Sequence, residues 1–197
     1  SDPSLKIDIK EWQQPGDAIL IVLQRPGDSS LKNLLKKHGS YDAFLAHTLT
    51  EIRKHTDRKI IVRLHPARVD KQMDIINRCS ISNFEISQNN TGAGLLNGGD
   101  GLYQDFQRAW AVVGFNTNAL TESVCEGLPT FSLCPSSMAW PVSNTNLNTL
   151  ENPTFFDRTQ WLNNLAYCQW RTDEIAQGLP WQQLKSLYPN KLINPYC

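Results

Sequence analysis

The chain has 197 residues, of which 40% are hydrophobic, and 19 Lys and Arg residues balance 19 Asp and Glu residues to a formal net charge of zero. This composition is typical of a globular domain of ordinary size and excludes a disordered chain. The charge balance excludes a domain-wide surface for nucleic acid or membranes, although a local basic site remains open.

No apolar run reaches the roughly 20 residues of a membrane span, and the first ten residues do not form a signal peptide. We therefore expect a cytoplasmic protein without a transmembrane segment. The first residue is Ser rather than Met, which suggests a fragment of a longer protein.

Five cysteines are scattered along the chain, with no CxxC pair and no His at ligand spacing. Their odd number and their spacing favour reduced thiols that fill the core over a disulfide framework, and we expect no metal site. These residues are Cys79, Cys125, Cys134, Cys168 and Cys197.

The first elements of the chain form a strand, a polar loop and a helix. Residues 1–17 are a polar lead-in that ends in a Pro-Gly-Asp turn. Residues 18–23, AILIVL, are typical of a strand buried on both faces, and the turn formers of residues 24–30 follow it. Apolar residues at steps of three and four predict a helix over residues 41–55, with Ser40 as its N-cap.

A second strand and a weak third strand follow this helix. Residues 60–62 predict a buried strand, and residues 69–78 a short helix. Residues 83–86 indicate the third strand, and the polar, Gly-rich tract over residues 87–101 indicates a loop. Residues 103–110 predict another helix.

The stretch over residues 111–133 is the clearest unit of the chain, because its pattern predicts a strand, a short helix and a second strand. Residues 111–113 and 130–133 are apolar strands, and the helix between them stops at Gly127. Three polar residues can cap the start of that helix: Asn116, Thr117 and Asn118.

The end of the chain consists of a loop and a helical tail. Residues 134–153 show no periodicity and predict a long ordered loop, whereas residues 157–188 carry two helical patterns. We therefore predict a lead-in over residues 1–17, a domain over 18–156 and a helical tail over 157–197 packed on that domain. Three tryptophans of the tail either fill the core or form a docking surface: Trp161, Trp170 and Trp181.

The alternation of strands and helices predicts an α/β fold, a Rossmann-like parallel sheet with helices on both faces. The loops after the first, second and fourth strands then open on the same edge of the sheet, where α/β proteins collect ligands. These loops hold Gln24, Arg25, Asp28 and Ser29, then Arg63 and His65, then Asn116, Thr117 and Asn118.

These loop residues have the chemistry of an anion site. Arg63 and Arg25 can bind phosphate oxygens, and the helix start near Asn116 offers backbone N–H groups. Glu122 lies four residues after Asn118 on the same helix face, where its carboxylate can accept ribose hydroxyls. The alternative for Glu122 is a solvated helix residue.

His65 and Asp28 each have a functional and a structural interpretation. Pro66 fixes the chain after His65, whose imidazole can donate to phosphate, act as an acid or base, or serve the fold. Asp28 can be a carboxylate of the site or a helix cap. The chain contains no GxGxxG and no GxxxxGK[ST] motif, which argues against a dinucleotide oxidoreductase and against a P-loop kinase.

Three motifs at these strand ends carry a family resemblance. They are Gln24-x-x-x-Asp28-Ser29-Ser30, Arg63-x-His65-Pro66, and Asn116-Thr117-Asn118-Ala119-Leu120-Thr121-Glu122 followed by Glu126-Gly127-Leu128-Pro129. As a set, they resemble the donor-binding half of GT-B glycosyltransferases, with the greatest similarity to capsular-polysaccharide and Kdo transferases and related phage proteins. The resemblance covers roughly residues 18–133.

The resemblance implies a nucleotide-sugar site in which Arg63, His65 and the segment 116–118 hold the phosphates and Glu122 binds the ribose or the sugar. It implies Asp28 and His65 as the candidate catalytic residues. The residues expected to bind the nucleotide sugar are Gln24, Arg25, Ser29, Arg63, His65, Asn116, Thr117, Asn118, Thr121 and Glu122.

The chain also departs from the family pattern. Retaining members often carry two Glu residues eight positions apart, but the position eight before Glu122 is Gly114. The Kdo-type Lys-Pro-His-Pro is Arg63-Leu64-His65-Pro66 here. GT-B enzymes have two Rossmann-like domains and this chain accommodates one, so an N-terminal domain or a partner chain is expected to complete it.

The sequence thus predicts a glycosyltransferase whose donor is a nucleotide sugar and which needs no metal or other cofactor. Its acceptor stays open among a glycan, a lipid-linked glycan and a modified DNA base. The alternatives are a glycerophosphotransferase or a sugar-nucleotide epimerase-like enzyme, and a non-catalytic Rossmann-like binding module.

Overall fold

The computed structural model describes residues 9–78, 83–89 and 101–188. Within these ranges the chain forms a parallel sheet of five strands in the order β3-β2-β1-β4-β5. The strands are β1 (Ala18–Val22), β2 (Ile60–Arg63), β3 (Glu85–Ile86), β4 (Ala109–Gly114) and β5 (Thr130–Ser132). The predicted Rossmann-like α/β fold is confirmed.

Eight α-helices lie in the described part of the chain. Five belong to the sheet domain: α1 (Lys32–His38), α2 (Tyr41–His55), α3 (Val69–Arg78), α4 (Gly101–Phe106) and α5 (Asn118–Cys125). Three follow it: α6 (Thr159–Tyr167), α7 (Thr172–Ala176) and α8 (Leu179–Leu187). The two compact units of the chain are residues 1–156 and 157–197.

The core lies on the two faces of the sheet, because alternate residues of each buried strand point to opposite sides. Ile19 and Ile21 of β1 join Val62 of β2 and Val113 of β4 in one apolar cluster with the buried side of α2. On the opposite face α5 packs against β4, and a Cβ on Gly114 would lie 3.1 Å from Leu120 Cδ2. Glycine at this position therefore lets α5 approach the sheet.

Local signals set the boundaries of α2 and α5. Ser40 Oγ accepts from Ala43 N at 3.2 Å and caps α2, which spans the predicted residues. Thr117 caps α5, and Gly127 follows that helix with a φ of +77°. A Cβ on Gly127 would also overlap the Glu11 carbonyl oxygen. The positive φ and this close approach both favour glycine over any other residue at this turn.

Other predicted elements differ from the structure. The helix predicted over 103–110 is wrong at its end, because α4 stops at Phe106 and Ala109 begins β4, paired with Ala18 of β1. The helix α1 was not predicted, because most of its residues are exposed and leave no apolar stripe. The tail holds three helices rather than two.

The remaining predictions concern loops and cysteines. The predicted loop over 134–153 contains two short 3-10 helices, Trp140–Val142 and Leu147–Thr149. Of the predicted loop 87–101, residues 90–100 lie outside the described residues, as do Cys79 and Cys197. The three described cysteines carry free thiols. No helix in the described ranges is both long and apolar enough to cross a membrane.

Candidate functional site

The side chain of Gln24 joins the loop after β1 to the loop after β4. Its Oε1 accepts from the backbone N of Asn116 at 2.9 Å, and its Nε2 donates to Ser30 Oγ at 2.9 Å. β1 and β4 are neighbours at the place where the strand order reverses, which is where open α/β sheets bind ligands. Gln24 therefore fixes the two loops of this switch point relative to each other.

Gln24 is itself held by Tyr41, the first residue of α2. The Tyr41 hydroxyl accepts from Gln24 N at 2.9 Å and donates to Gln24 O at 3.2 Å. Burial raises the pKa of Tyr41 far above its usual range, so the hydroxyl keeps its proton and stays a donor. The backbone from which the Gln24 side chain projects is thus fixed before any ligand arrives.

Asp28 and Ser29 lie on the exposed part of the loop after β1. Asp28 caps the 3-10 helix Ser29–Leu31, because its Oδ1 accepts from Ser30 N at 2.8 Å. This hydrogen bond lowers the pKa of Asp28, which is therefore a carboxylate at neutral pH. Asp28 also interacts electrostatically with Arg25 and His65, so these three residues are brought together at the carboxyl edge.

His65 follows β2 and is fixed by Gln72 of α3. Its backbone N donates to Gln72 Oε1 at 2.7 Å, and its carbonyl accepts from Gln72 Nε2 at 2.8 Å. The imidazole Nδ1 accepts from Ala67 N at 3.0 Å, so the proton of the neutral ring is on Nε2. Burial lowers the pKa of His65, and the charge of Arg25 lowers it further. At pH 7 the ring is neutral and presents Nε2–H as a donor.

The segment before α5 lies beside the Gln24 bridge. Asn116 Nδ2 donates to Ser136 Oγ at 3.1 Å, which ties this segment to the chain after β5. Thr117 Oγ1 accepts from Ala119 N at 3.4 Å as the N-cap, and the Asn118 side chain is exposed. Ala119 N and Leu120 N of the first turn donate to Thr117, so the helix dipole and the remaining first-turn N–H groups are what this edge offers to an anion.

Arg63 lies in a buried network on the α5 face of the sheet and not among the exposed groups of the edge. Its Nη1 donates to Asp105 Oδ2 at 2.6 Å, and to the carbonyls of Asn89 at 2.9 Å and Gly101 at 3.1 Å. Asp105 also accepts from Ser87 Oγ at 2.6 Å and from Asn89 Nδ2 at 2.8 Å. The Arg63 guanidinium therefore neutralises a carboxylate of the protein itself.

Glu122 lies on α5, close enough to this network for the charge of Arg63 to act on it. Burial raises the pKa of Glu122, and a hydrogen bond from the Tyr103 hydroxyl and the charge of Arg63 act in the opposite direction. Thr121 precedes it, and its buried Oγ1 has no hydrogen-bond partner within the described ranges. The predicted site residues thus fall into two groups, the exposed groups of the carboxyl edge and those beside the buried Arg63–Asp105 pair.

The sequence did not predict three residues that position the site. Tyr41 was interpreted only as part of an apolar helix stripe, and Gln72 and Asp105 lie in short predicted helices without a motif. Their partners are distant in sequence, since Arg63 and Asp105 are 42 positions apart. A buried carboxylate in a helix predicts some cationic partner, but the sequence alone does not identify which one.

No cluster of three His, Cys, Asp or Glu side chains suited to a metal ion occurs among residues 9–78, 83–89 and 101–188. Comparison of the chain with protein-family profiles, curated proteins and solved structures finds no match. The fold and the site together define a Rossmann-like α/β domain with polar groups gathered at its switch point.

Proposed function

We propose that this protein is the donor-binding domain of a nucleotide-sugar-dependent glycosyltransferase of GT-B architecture. The observation that carries the proposal is the Gln24 bridge between Ser30 and Asn116, which joins two loops at the switch point of the sheet. A site that is fixed before the donor binds pays little ordering entropy on binding, which favours recognition of a flexible diphosphate.

Three groups of the edge suit the phosphates of the donor. Arg25 is exposed and carries the positive charge. His65 supplies its Nε2–H, and the start of α5 supplies backbone N–H groups. Because Arg63 is paired with Asp105, we assign the cationic phosphate contact to Arg25. A phosphate contact by Arg63, which the sequence predicts, stays a prediction.

The chemistry follows from these protonation states. Sugar transfer leaves negative charge on the departing nucleotide phosphate, and donors already in place stabilise that charge. His65 fits this role as a hydrogen-bond donor, since its Nδ1 is occupied by Ala67 N–H. Asp28, a carboxylate at neutral pH, is the candidate that accepts the proton of the acceptor hydroxyl.

Glu122 keeps its predicted role at the ribose or the sugar. Its half-buried carboxylate lies on α5, one turn after the helix start that faces the phosphates. The acceptor is a glycan, a lipid-linked glycan or a modified DNA base, and a second domain or a partner chain binds it.

Calorimetric titration with UDP-, GDP-, CMP- and TDP-sugars tests the proposal. We expect one nucleotide class to bind, and Arg25→Ala to weaken that binding by about tenfold, the worth of one charged hydrogen bond. Arg78→Ala, which removes an exposed charge at the last residue of α3, is the matched control and leaves the affinity unchanged.

Failure of all four donors to bind contradicts the proposal, and so does equal binding by the Arg25 and Arg78 variants. Product analysis with UDP-N-acetylglucosamine and CDP-glycerol separates sugar transfer or donor hydrolysis from epimerisation and from glycerophosphate transfer. Binding without any turnover of the full chain supports a non-catalytic module instead.

A further inference from the structure

A cavity of about 310 Å³ lies between α2 and the chain that follows β5. None of the residues predicted at the carboxyl edge lines it, so it is separate from the proposed donor site. Its volume is at the lower end of the range of small-molecule sites, which suits a ligand built on a single ring.

Part of the cavity lining is apolar and aromatic. Phe44, Leu133, Pro135, Trp140 and Leu147 contribute to it. The Trp140 side chain is half-buried and is the largest aromatic group among them. Aromatic faces carry negative partial charge, so they attract the weakly positive C–H groups of a saturated ring.

The cavity is also lined by polar side chains that offer both donors and acceptors. Lys37, His38, His47 and Glu51 line it, and the two imidazole rings lie 5.2 Å apart. Burial lowers the pKa of His38, so its ring is neutral at pH 7 and can donate and accept. The Glu51 carboxylate is ion-paired with Lys54 and is thereby neutralised, and the polar lining offers both donors and acceptors to the hydroxyl groups of a neutral ligand.

Thr48 adds a hydroxyl group to the lining of the cavity. It lines the cavity and is only 2% exposed. Its hydroxyl makes no hydrogen bond to another residue of the described part of the chain, whereas Thr50 on the same helix donates to Ala46 O at 2.8 Å. A hydroxyl that lines a cavity and makes no hydrogen bond within the described residues can donate to a bound hydroxyl group and accept from it.

The cavity adjoins the carboxyl edge at two points. Phe44 packs edge-on against Phe115 of the β4 loop, with ring centroids 5.6 Å apart. Pro135 of the cavity wall precedes Ser136, which accepts from Asn116 Nδ2. The cavity therefore lies close to the segment before α5 but shares no lining residue with it.

We propose that this cavity binds a single neutral sugar ring. Trp140 packs against the C–H face of the ring, and His47, Thr48 and Glu51 form hydrogen bonds with its hydroxyl groups. A monosaccharide combines an apolar face with hydroxyls that both donate and accept, which matches the apolar and polar residues of the lining. The inference does not rest on the proposed donor site, because it uses other residues.

Saturation-transfer NMR on the full chain tests it with three neutral probes: glucose, galactose and N-acetylglucosamine. Cyclohexanecarboxylate is the comparison ligand, because it has a saturated ring of similar size with a charge in place of hydroxyls. We expect a sugar to bind in the millimolar range and cyclohexanecarboxylate to give no signal. Trp140→Ala should weaken sugar binding about tenfold, and Thr48→Val about fivefold.

Thr50→Val is the matched control, since it makes the same change on the exposed side of α2 and leaves sugar binding unchanged. If Trp140→Ala fails to fold, Thr48→Val alone decides, because it preserves the side-chain shape. Absence of binding by all three sugars overturns the proposal, as does binding that Thr48→Val does not weaken or a signal from cyclohexanecarboxylate alone. Gln24→Ala should reduce nucleotide binding but not sugar binding, which separates failure here from failure of the donor site.

Discussion

Two polar arrangements hold this sheet domain together, and they differ in what they leave exposed. The Arg63 network satisfies its charges internally, because Asp105 accepts from Arg63, Ser87 and Asn89, and Asp105 has no exposed surface. The Gln24 bridge is also buried, but it fixes loops whose other groups face outward, Arg25 and Asp28 among them.

This difference separates a structural role from a functional one. A buried charge pair is costly to break and gives little to a ligand. Removing a neutral amide that joins two loops lowers stability only a little, but the amide fixes the positions of the exposed groups on those loops. Variants of the network should therefore lose stability first, and variants of the bridge should lose ligand binding first.

Asp105→Asn should have the largest effect on stability. The variant leaves the Arg63 guanidinium buried without its counter-charge, which should lower the free energy of unfolding by about 3–5 kcal/mol. Chemical denaturation measures it. Asp74→Asn, an exposed position on α3, is the control and should stay within about 0.5 kcal/mol of the parent protein. Equal stability of the two variants would show that the network does not hold the fold.

Tyr41→Phe should have an intermediate effect on the free energy of unfolding. It removes the hydroxyl that pairs with both backbone groups of Gln24, so the free energy of unfolding should fall by about 1–3 kcal/mol. Tyr167→Phe, at a residue that is 61% exposed, makes the same change without cost. If both variants unfold at the same denaturant concentration, Tyr41 does not support the bridge.

Gln24→Ala should reduce ligand binding more than it reduces stability. Asn116 N–H and Ser30 Oγ are part-exposed and can bind water after the change, which limits the loss of stability to about 1–2 kcal/mol. Affinity for the nucleotide sugar should fall at least about tenfold as the two loops separate. Gln107→Ala, at an exposed position after α4, is the control for both measurements. A loss of stability without a loss of affinity would place Gln24 with the structural network.

His65 should give the smallest effect, a dependence of stability on pH. Its pKa in the folded state lies below the unfolded value near 6.5, because burial disfavours the charged ring. Above that value both states are neutral, and below it the unfolded state binds the proton more readily, so stability falls with falling pH. The free energy of unfolding of the parent protein should therefore drop more steeply between pH 7 and pH 5 than that of His65→Gln. Parallel curves would contradict this assignment.

Much of the fold could be predicted because the local pattern and the tertiary structure agree. The apolar run after residue 17 forms β1, and the Ser40 cap with its apolar stripe sets α2 over Tyr41–His55. The end of α4 could not be predicted, since Ala109 leaves the helical pattern to pair with Ala18 of the distant β1. Sheet register of this kind depends on contacts that no local pattern contains.

The sequence could predict which residues lie at the carboxyl edge of the sheet. It could not predict which of them are exposed there and which are paired in the buried network. Polar residues at three strand ends must meet in a parallel sheet, so Gln24, His65 and Asn116 share one edge. The pattern does not show that both ends of the Gln24 amide bond to protein groups, or that Arg63 turns to Asp105. Both facts depend on side-chain partners from other elements, such as the acidic residue on α4.

The central claim is that the carboxyl edge is a nucleotide-sugar site fixed in advance by Gln24, and amide-resolved NMR titration with the nucleotide sugar tests it most directly. We predict that the signals of Arg25, Asp28, His65 and Asn118 shift on titration, and by more than that of Asp105. The same shifts should be weak in Gln24→Ala. Shifts confined to Asp105 and its neighbours, or no shifts at all with any donor, would contradict the claim.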